Sequence, residues 1–133
     1  MTAETIPVRE RLFAVDPDGR PHLVGGRCAT CGEHHFPLLA TCPYCSSTDV
    51  AETALSPLGT LWGWTAVTAP PPGYRGEVPF GFGVVELPEG LRVVTRLTEA
   101  DPGKLRFGQK VRMELVPLHT DDEGRAVLTW AFG

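Results

Sequence analysis

Cys28-Ala29-Thr30-Cys31-Gly32 and Cys42-Pro43-Tyr44-Cys45-Ser46 are two Cys-x-x-Cys loops, separated by the ten residues Gly32 to Thr41. They hold every cysteine of the chain. Within each loop, backbone N–H groups are placed to face the thiolates while both sulfurs reach one ion, so two loops complete a tetrahedral S4 shell. Zinc is the first choice, because four thiolates leave no open coordination position and make a structural site. Iron in a rubredoxin-like site is the rival that thiolates alone do not exclude. Gly32 is free to adopt the left-handed conformation that commonly follows the second ligand. Ser46 stands at the matching place of the second loop, where the same conformation costs a non-glycine residue roughly 1 kcal/mol. The intervening His34 and His35 are surplus to a complete ligand set, which leaves them structural or donors of a hydrogen bond to a thiolate. A module with so few large apolar side chains cannot fold by burial alone, so metal binding and folding are expected to be coupled.

Downstream the texture changes to short β-like runs broken by Gly, Pro and Asp. The runs are Gly59 to Thr68, Phe80 to Leu87, Leu91 to Leu97, Lys110 to Leu118 and Arg125 to Phe132. Gly63 interrupts the first and signals a bulge or a bend, while period two places Trp62 and Trp64 on one strand face. Five short strands with long loops fit a small closed barrel, which removes its own edges. An OB barrel fits best and an SH3-like barrel is the alternative; periodicity does not separate them. The organisation expected is therefore mainly β: an arm over 1–24, a four-cysteine zinc ribbon over 25–53 and a five-stranded OB-fold domain over 54–133. In the arm, Glu10 to Val15 reads as a short helix or a strand, with Leu12, Phe13 and Val15 docking it on the metal module or a partner.

The chain has 133 residues and a formal charge of -4. Large two-layer α/β enzyme folds need roughly 200 residues or more, so one modest core is available. The acidic balance disfavours a protein that tracks phosphates. Locally the sign reverses: Arg92, Arg96, Lys104, Arg106, Lys110 and Arg112 face only Glu99 and Asp101 along the chain, a local charge of +4. No basic start leads into an apolar signal segment and no run of 18 apolar residues occurs, so a cytoplasmic protein without a membrane segment is expected. Four clustered cysteines suit that reducing compartment as metal ligands.

Catalysis finds little support. His22, His34, His35 and His119 are the histidines, and the chain lacks a serine nucleophile elbow, a His-Glu-x-x-His helix and a phosphate-cradling loop with its lysine. The long loop from Pro70 to Pro79 presents Tyr74 and Arg75, residue types common at binding hot spots. The tryptophans serve a barrel core or, with a basic groove, stacking of bases.

The layout as a whole resembles a family of acyl-CoA-associated proteins that join a rubredoxin-like zinc ribbon to an OB-fold domain. The resemblance runs through Gly26-Arg27-Cys28-x-x-Cys31-Gly32, Phe36-Pro37, Cys42-Pro43-x-Cys45 and Pro79-Phe80-Gly81-Phe82-Gly83-Val84-Val85-Glu86-Leu87-Pro88-Glu89-Gly90, and covers about residues 10 to 133. It implies a non-catalytic accessory subunit, carrying one structural zinc on Cys28, Cys31, Cys42 and Cys45, in a hetero-oligomer with a thiolase-like catalytic subunit. Thiolases, aldolases of thiolase fold and acyl-CoA hydratases are the partners it implies. Such a subunit stabilises its partner and helps to form the acyl-CoA site. Within this frame Arg75, Arg92 and Arg96 are the expected acyl-CoA contacts, and Tyr74, Arg75 and Phe80 the expected partner contacts. A nucleic-acid-binding OB protein and an iron electron carrier are the competing readings.

Overall fold

A computed structural model gives the architecture of residues 5–133; residues 1–4 of the expected arm lie outside the described residues. Ten strands run in the order β1 (Thr5–Pro7), β2 (Phe13–Val15), β3 (Pro21–Cys28), β4 (His34–His35), β5 (Val50–Ala54), β6 (Leu58–Val67), β7 (Phe80–Glu86), β8 (Arg92–Leu97), β9 (Lys110–Thr120) and β10 (Ala126–Phe132). Among the described residues the only helical element is a single 3-10 turn, Pro102–Lys104, capped by the Asp101 side chain.

Strands β6 to β10 close into a barrel. Around its girth the order is β10-β8-β7-β6-β9, and β9 returns to β10. All neighbours are antiparallel except β8 and β10, which run parallel through Arg96–Leu97 and Ala131–Phe132. That parallel closure decides for the OB topology over the SH3-like alternative. The alternation expected of half-buried strands is plain in β7 and β8, where Val85, Val93, Thr95 and Leu97 turn inward. They meet Leu61, Leu87, Leu91, Leu105, Val111, Met113 and Phe132 in one core.

The ribbon is not a separate bead. Strand β3 pairs with β2, β4 and β5, and its fully buried Leu23 joins Leu55 in the barrel core. Phe13 of β2 and Phe36 after β4 lie against Trp130 of β10, with ring centroids 6.2 and 5.7 Å apart. Such aromatic pairs add about 0.5–1.5 kcal/mol each beyond the area they bury. The arm divides its contacts: β2 is the strand outcome of the segment read as helix or strand, and it docks on the ribbon. Strand β1 instead pairs in parallel with Ala126–Leu128 of β10, extending the barrel sheet. The arm was expected to dock on the metal module or a partner; β2 meets the module, and β1 lies on the barrel instead.

One expectation fails for a clear reason. Gly63 does mark a bulge, between Leu61 and Gly63 in the register with β7, and the extra residue is Trp62. An inserted residue reverses the face of everything beyond it. Trp62 and Trp64 therefore do not share a face: Trp62 is exposed, whereas Trp64 pairs opposite Gly83, packs on the core and donates its Nε1–H to the Pro102 carbonyl at 3.0 Å.

Candidate functional site

The two cysteine loops fold as near copies. In each, a backbone N–H four residues on closes the turn: Gly32 donates to the Cys28 carbonyl at 2.8 Å and Ser46 to the Cys42 carbonyl at 3.0 Å. Cys28 and Cys42 donate in turn to Glu33 and Ser47 carbonyls at 3.0 and 2.8 Å. The left-handed residue expected after each pair is present, Gly32 at φ 78° and Ser46 at φ 67°. The Thr30 and Ser47 hydroxyls, 2.8 Å apart, tie the loops together.

This geometry brings all four sulfurs within 4.8 Å of one another. Cys28 Sγ lies 3.5 Å from Cys45 Sγ, and Cys31 Sγ 3.7 Å from Cys42 Sγ. A tetrahedron with Zn–S bonds of about 2.3 Å has S···S edges of about 3.8 Å, so the cluster has the dimensions of a four-thiolate zinc shell. Its electrostatics demand a cation. The Cys31 backbone N–H holds the Cys28 thiol down at about 6, against burial. Cys45 receives the Ser47 N–H, yet the neighbouring Cys28 sulfur and burial push it up to about 12. Cys31 is likewise raised: the Glu33 N–H favours its thiolate, but burial and the sulfurs of Cys42 and Cys28 outweigh it. Thiolates held this close repel one another, and a divalent ion is what makes four of them compatible. Cys28 and Cys42 are buried and Cys31 and Cys45 exposed. His35 is buried and accepts the Leu39 N–H on Nε2 at 3.3 Å, holding the segment between the loops. Its role is structural, as its surplus to the ligand set suggested.

Replacing Ser46 with glycine tests the loop geometry. Relief of the left-handed backbone is worth about 1–2 kcal/mol, and glycine's freedom in the unfolded chain returns about 0.4–1 kcal/mol of it. Ser46→Gly is therefore expected to stabilise the metal-loaded protein by about 0.5–1 kcal/mol in a denaturant titration; a loss of stability would show that the Ser46 side chain contributes more than its backbone strain costs.

The expected ligand and partner residues separate into groups. Tyr74, Phe80 and Arg96 converge: the Tyr74 and Phe80 rings lie 5.0 Å apart, the Arg96 guanidinium sits 4.6 Å from the Phe80 ring centroid, and Arg96 Nη1 donates to Tyr74 Oη at 3.0 Å. The Tyr74 hydroxyl donates onward to the Glu77 carbonyl at 2.7 Å. Arg75 turns the other way and ties its loop to the β9–β10 connection, through the Thr120 carbonyl at 3.5 Å and Asp122 at 3.3 Å. Arg92 lies toward the far end of β8, paired with Glu86 at 3.1 Å and stacked 3.9 Å from the Trp62 ring centroid. Lys104 pairs with Glu99 and Arg112 stands in β9 opposite Leu58. The carbonyl and carboxylate that engage Arg75 come from a hairpin remote in sequence, and no local pattern announces them.

A concavity of 610 Å³ lies between arm and ribbon; Glu10 and Glu52 are the acids of its lining, and Glu52 is paired with Arg11. Its lining contains neither histidine nor a nucleophilic hydroxyl or thiol. No helix among the described residues is long and apolar enough to cross a membrane.

Comparison with known proteins agrees with this architecture. Residues 16–51 match the rubredoxin-like zinc ribbon domain of ChsH2 and residues 52–116 its C-terminal OB-fold domain. A DUF35 domain-containing scaffold protein of Pyrococcus furiosus is 33% identical over 80% of this chain and 77% of its own. The benzoylsuccinyl-CoA thiolase subunit BbsA of Thauera aromatica is 31% identical over 91% of this chain and 83% of its own. Among solved structures, an Ltp2-ChsH2(DUF35) aldolase superposes with a TM-score of 0.65 at 30% identity, covering 84% of this chain and 83% of that one. A zinc ribbon fused to an OB barrel, matched in both halves and over most of its length, places the chain in the ChsH2-type DUF35 family.

Proposed function

We propose that this chain is a non-catalytic, zinc-containing accessory subunit of a thiolase-like acyl-CoA enzyme, a thiolase or aldolase that makes or breaks a C–C bond. The observation that carries the reading is the likeness over nearly the whole chain to a thiolase subunit, in a molecule whose cysteines form a closed four-thiolate shell. A closed shell leaves neither a site for water on the metal nor a free thiolate nucleophile. The zinc supplies a cross-link, and the chemistry belongs to the larger partner of a hetero-oligomer in the reducing cytoplasm.

In this reading the acyl-CoA meets the end of the barrel where Arg96 lies. Arg75 and Arg92 are each engaged by a carboxylate. Arg96 is held by a hydroxyl and an aromatic face instead, which fixes the guanidinium while leaving its charge for a CoA phosphate. Arg75, with Tyr74 and Phe80, shapes the loop that meets the partner.

Reconstitution with the catalytic subunit tests this. The isolated, metal-loaded chain should give background rates in thiolysis, aldol-cleavage and hydration assays. A hydrogen bond to a charged group is worth about 1.5–3 kcal/mol, so Arg96→Gln should weaken acyl-CoA binding by the complex about ten-fold or more and leave assembly intact. Arg75→Gln should chiefly weaken assembly. Turnover by the chain alone would overturn the accessory role; unchanged acyl-CoA binding by the Arg96 variant would place that contact wholly on the partner.

A further inference from the structure

The outer face of β6, β7 and β8 carries an exposed apolar strip between polar residues. Across the strands, Thr65, Phe82 and Arg96 form one outward row, Gly63, Val84 and Val94 the next, and Thr60, Glu86 and Arg92 the third. Val94 is 58% exposed and Phe82 40%. At the Arg92 end the bulge turns Trp62 out onto this same face. The turn after the 3-10 element is pinned there by two backbone bonds of 2.8 Å, Leu61 N–H to the Gln109 carbonyl and Gly108 N–H to the Leu61 carbonyl. These bonds place Phe107, 69% exposed, 6.3 Å from Trp62. The ribbon and the arm leave this face bare, since they dock on β10 and the core.

We infer that the strip from Phe82 through Val94 to Trp62 and Phe107 is the surface on which the catalytic subunit docks, against an apolar patch fringed by carboxylates. This rests on the accessory-subunit reading above and names the face it uses. Three features select that occupant. Trp62 is preset by the bulge and by the Arg92 guanidinium stacked on it, so a rigid Trp–Arg anchor is offered at little ordering cost. The fringe at the Trp62 end is basic in a chain of net charge -4: Arg92 and Lys110 flank the strip, with Glu86 as the acid between them. A second copy laid face to face would oppose like charges, whereas a carboxylate fringe complements them. At the centre of the strip stand the aliphatic Val84 and Val94, which suit a dry protein contact better than a stack of bases. Arg92 and Arg96 are four residues apart on one strand, about 13 Å, so the Trp62 end serves the protein contact alone while partner and acyl-CoA meet at the Arg96 end.

The test uses the tagged full-length chain to recover its thiolase-fold subunit from the native cell, identified by mass, followed by titration of purified variants. Val94→Glu and Phe107→Ala are each expected to weaken the complex by about thirty-fold or more, the scale of an interface hot spot. Tyr44→Glu, on the exposed tip of the ribbon, should bind within about two-fold of wild type, and raised salt should weaken wild-type binding. Unchanged zinc content and melting temperature will show that the variants fold. Wild-type affinity in both strip variants, with the complex intact, overturns the docking face alone. A wild-type chain that recovers no thiolase-fold subunit overturns the functional reading and the docking face together. Self-association, or binding of an oligothymidine, that Val94→Glu abolishes would give the strip a different occupant and overturn the assignment.

Discussion

Replacing Cys42 with serine is expected to release the metal and unfold the ribbon, and the barrel should lose stability with it. The apparent binding energy of a structural zinc in a small finger is about 10–16 kcal/mol, comparable to the whole stability of a domain, about 5–15 kcal/mol. Without the ion, burial cannot hold residues 28–46 together. The cysteine loops have two buried side chains larger than alanine in Cys28 and Cys42, and these are ligands. The damage is not local, because Leu23 of β3 enters the barrel core beside Leu55 and Phe36 lies against Trp130. Native protein should contain about one zinc per chain and melt in a single transition. Cys42→Ser, and wild type treated with a chelator, should lose the near-ultraviolet signal of the Trp130 cluster and melt far lower. Acid should act like the chelator: each thiol must give up its proton to bind metal, so affinity falls as pH falls and protons displace the ion. A chelated chain that keeps its melting temperature would show that the ribbon holds without metal, and stoichiometric iron with thiolate charge-transfer bands would replace zinc by the rubredoxin-like alternative.

What could be read from the residues alone follows the range of the physics involved. The metal centre was legible because its chemistry is local: two Cys-x-x-Cys spacings fix ligand type and number, although serine at position 46 left open whether the second loop would repeat the left-handed turn of the first, as it does. The barrel strands were legible because alternation has a fixed period, and β6 to β10 fall within two residues of the expected runs. Closure was not, since the parallel contact of β8 with β10 joins residues more than thirty positions apart and leaves no mark on periodicity. Nor was the parallel pairing of β1, whose three residues carry no pattern. The tryptophans show how a correct local signal can mislead. Gly63 was a fair sign of a bulge, but the bulge itself cancels the period-two inference for Trp62 and Trp64, and only the register with β7 shows which ring turns outward. The arginines were legible as a group of charges, yet their individual roles depend on acids supplied by Glu86 and Asp122 across the fold.

Gly81→Ala is expected to cost about 2 kcal/mol, although alanine is the better strand residue on conformational entropy. Gly81 is buried on the inner side of β7, opposite Leu97 of β8. Just beyond Leu97 the chain crosses toward β10, where the Thr98 N–H donates to the Phe132 carbonyl at 3.0 Å. In that crossing the Glu99 carbonyl comes down on Gly81, so an added methyl would overlap its oxygen and press on the Leu97 Cβ. The obstacle is backbone, which cannot swing aside as a side chain tip would. Overpacking of this kind costs about 1–3 kcal/mol, and prising Thr98 from Phe132 adds about 1 kcal/mol for the lost hydrogen bond. Restriction of the unfolded chain offsets only about 0.4–1 kcal/mol. The clash therefore wins, and the melting temperature should fall by on the order of 10 °C. Gly63→Ala is the control: an added methyl there meets no atom within 4 Å and the backbone is not left-handed, so the entropy gain should stand alone and leave the protein unchanged or slightly more stable. The contrast also reaches the proposed function. Arg96 precedes Leu97 on the strand that Gly81 lets close, so a barrel forced open at this point should misplace Arg96 and weaken acyl-CoA binding by the complex even where the chain remains folded. Equal stability of the two variants would mean that the β8–β10 closure yields without cost, and the position of Arg96 would then not depend on it.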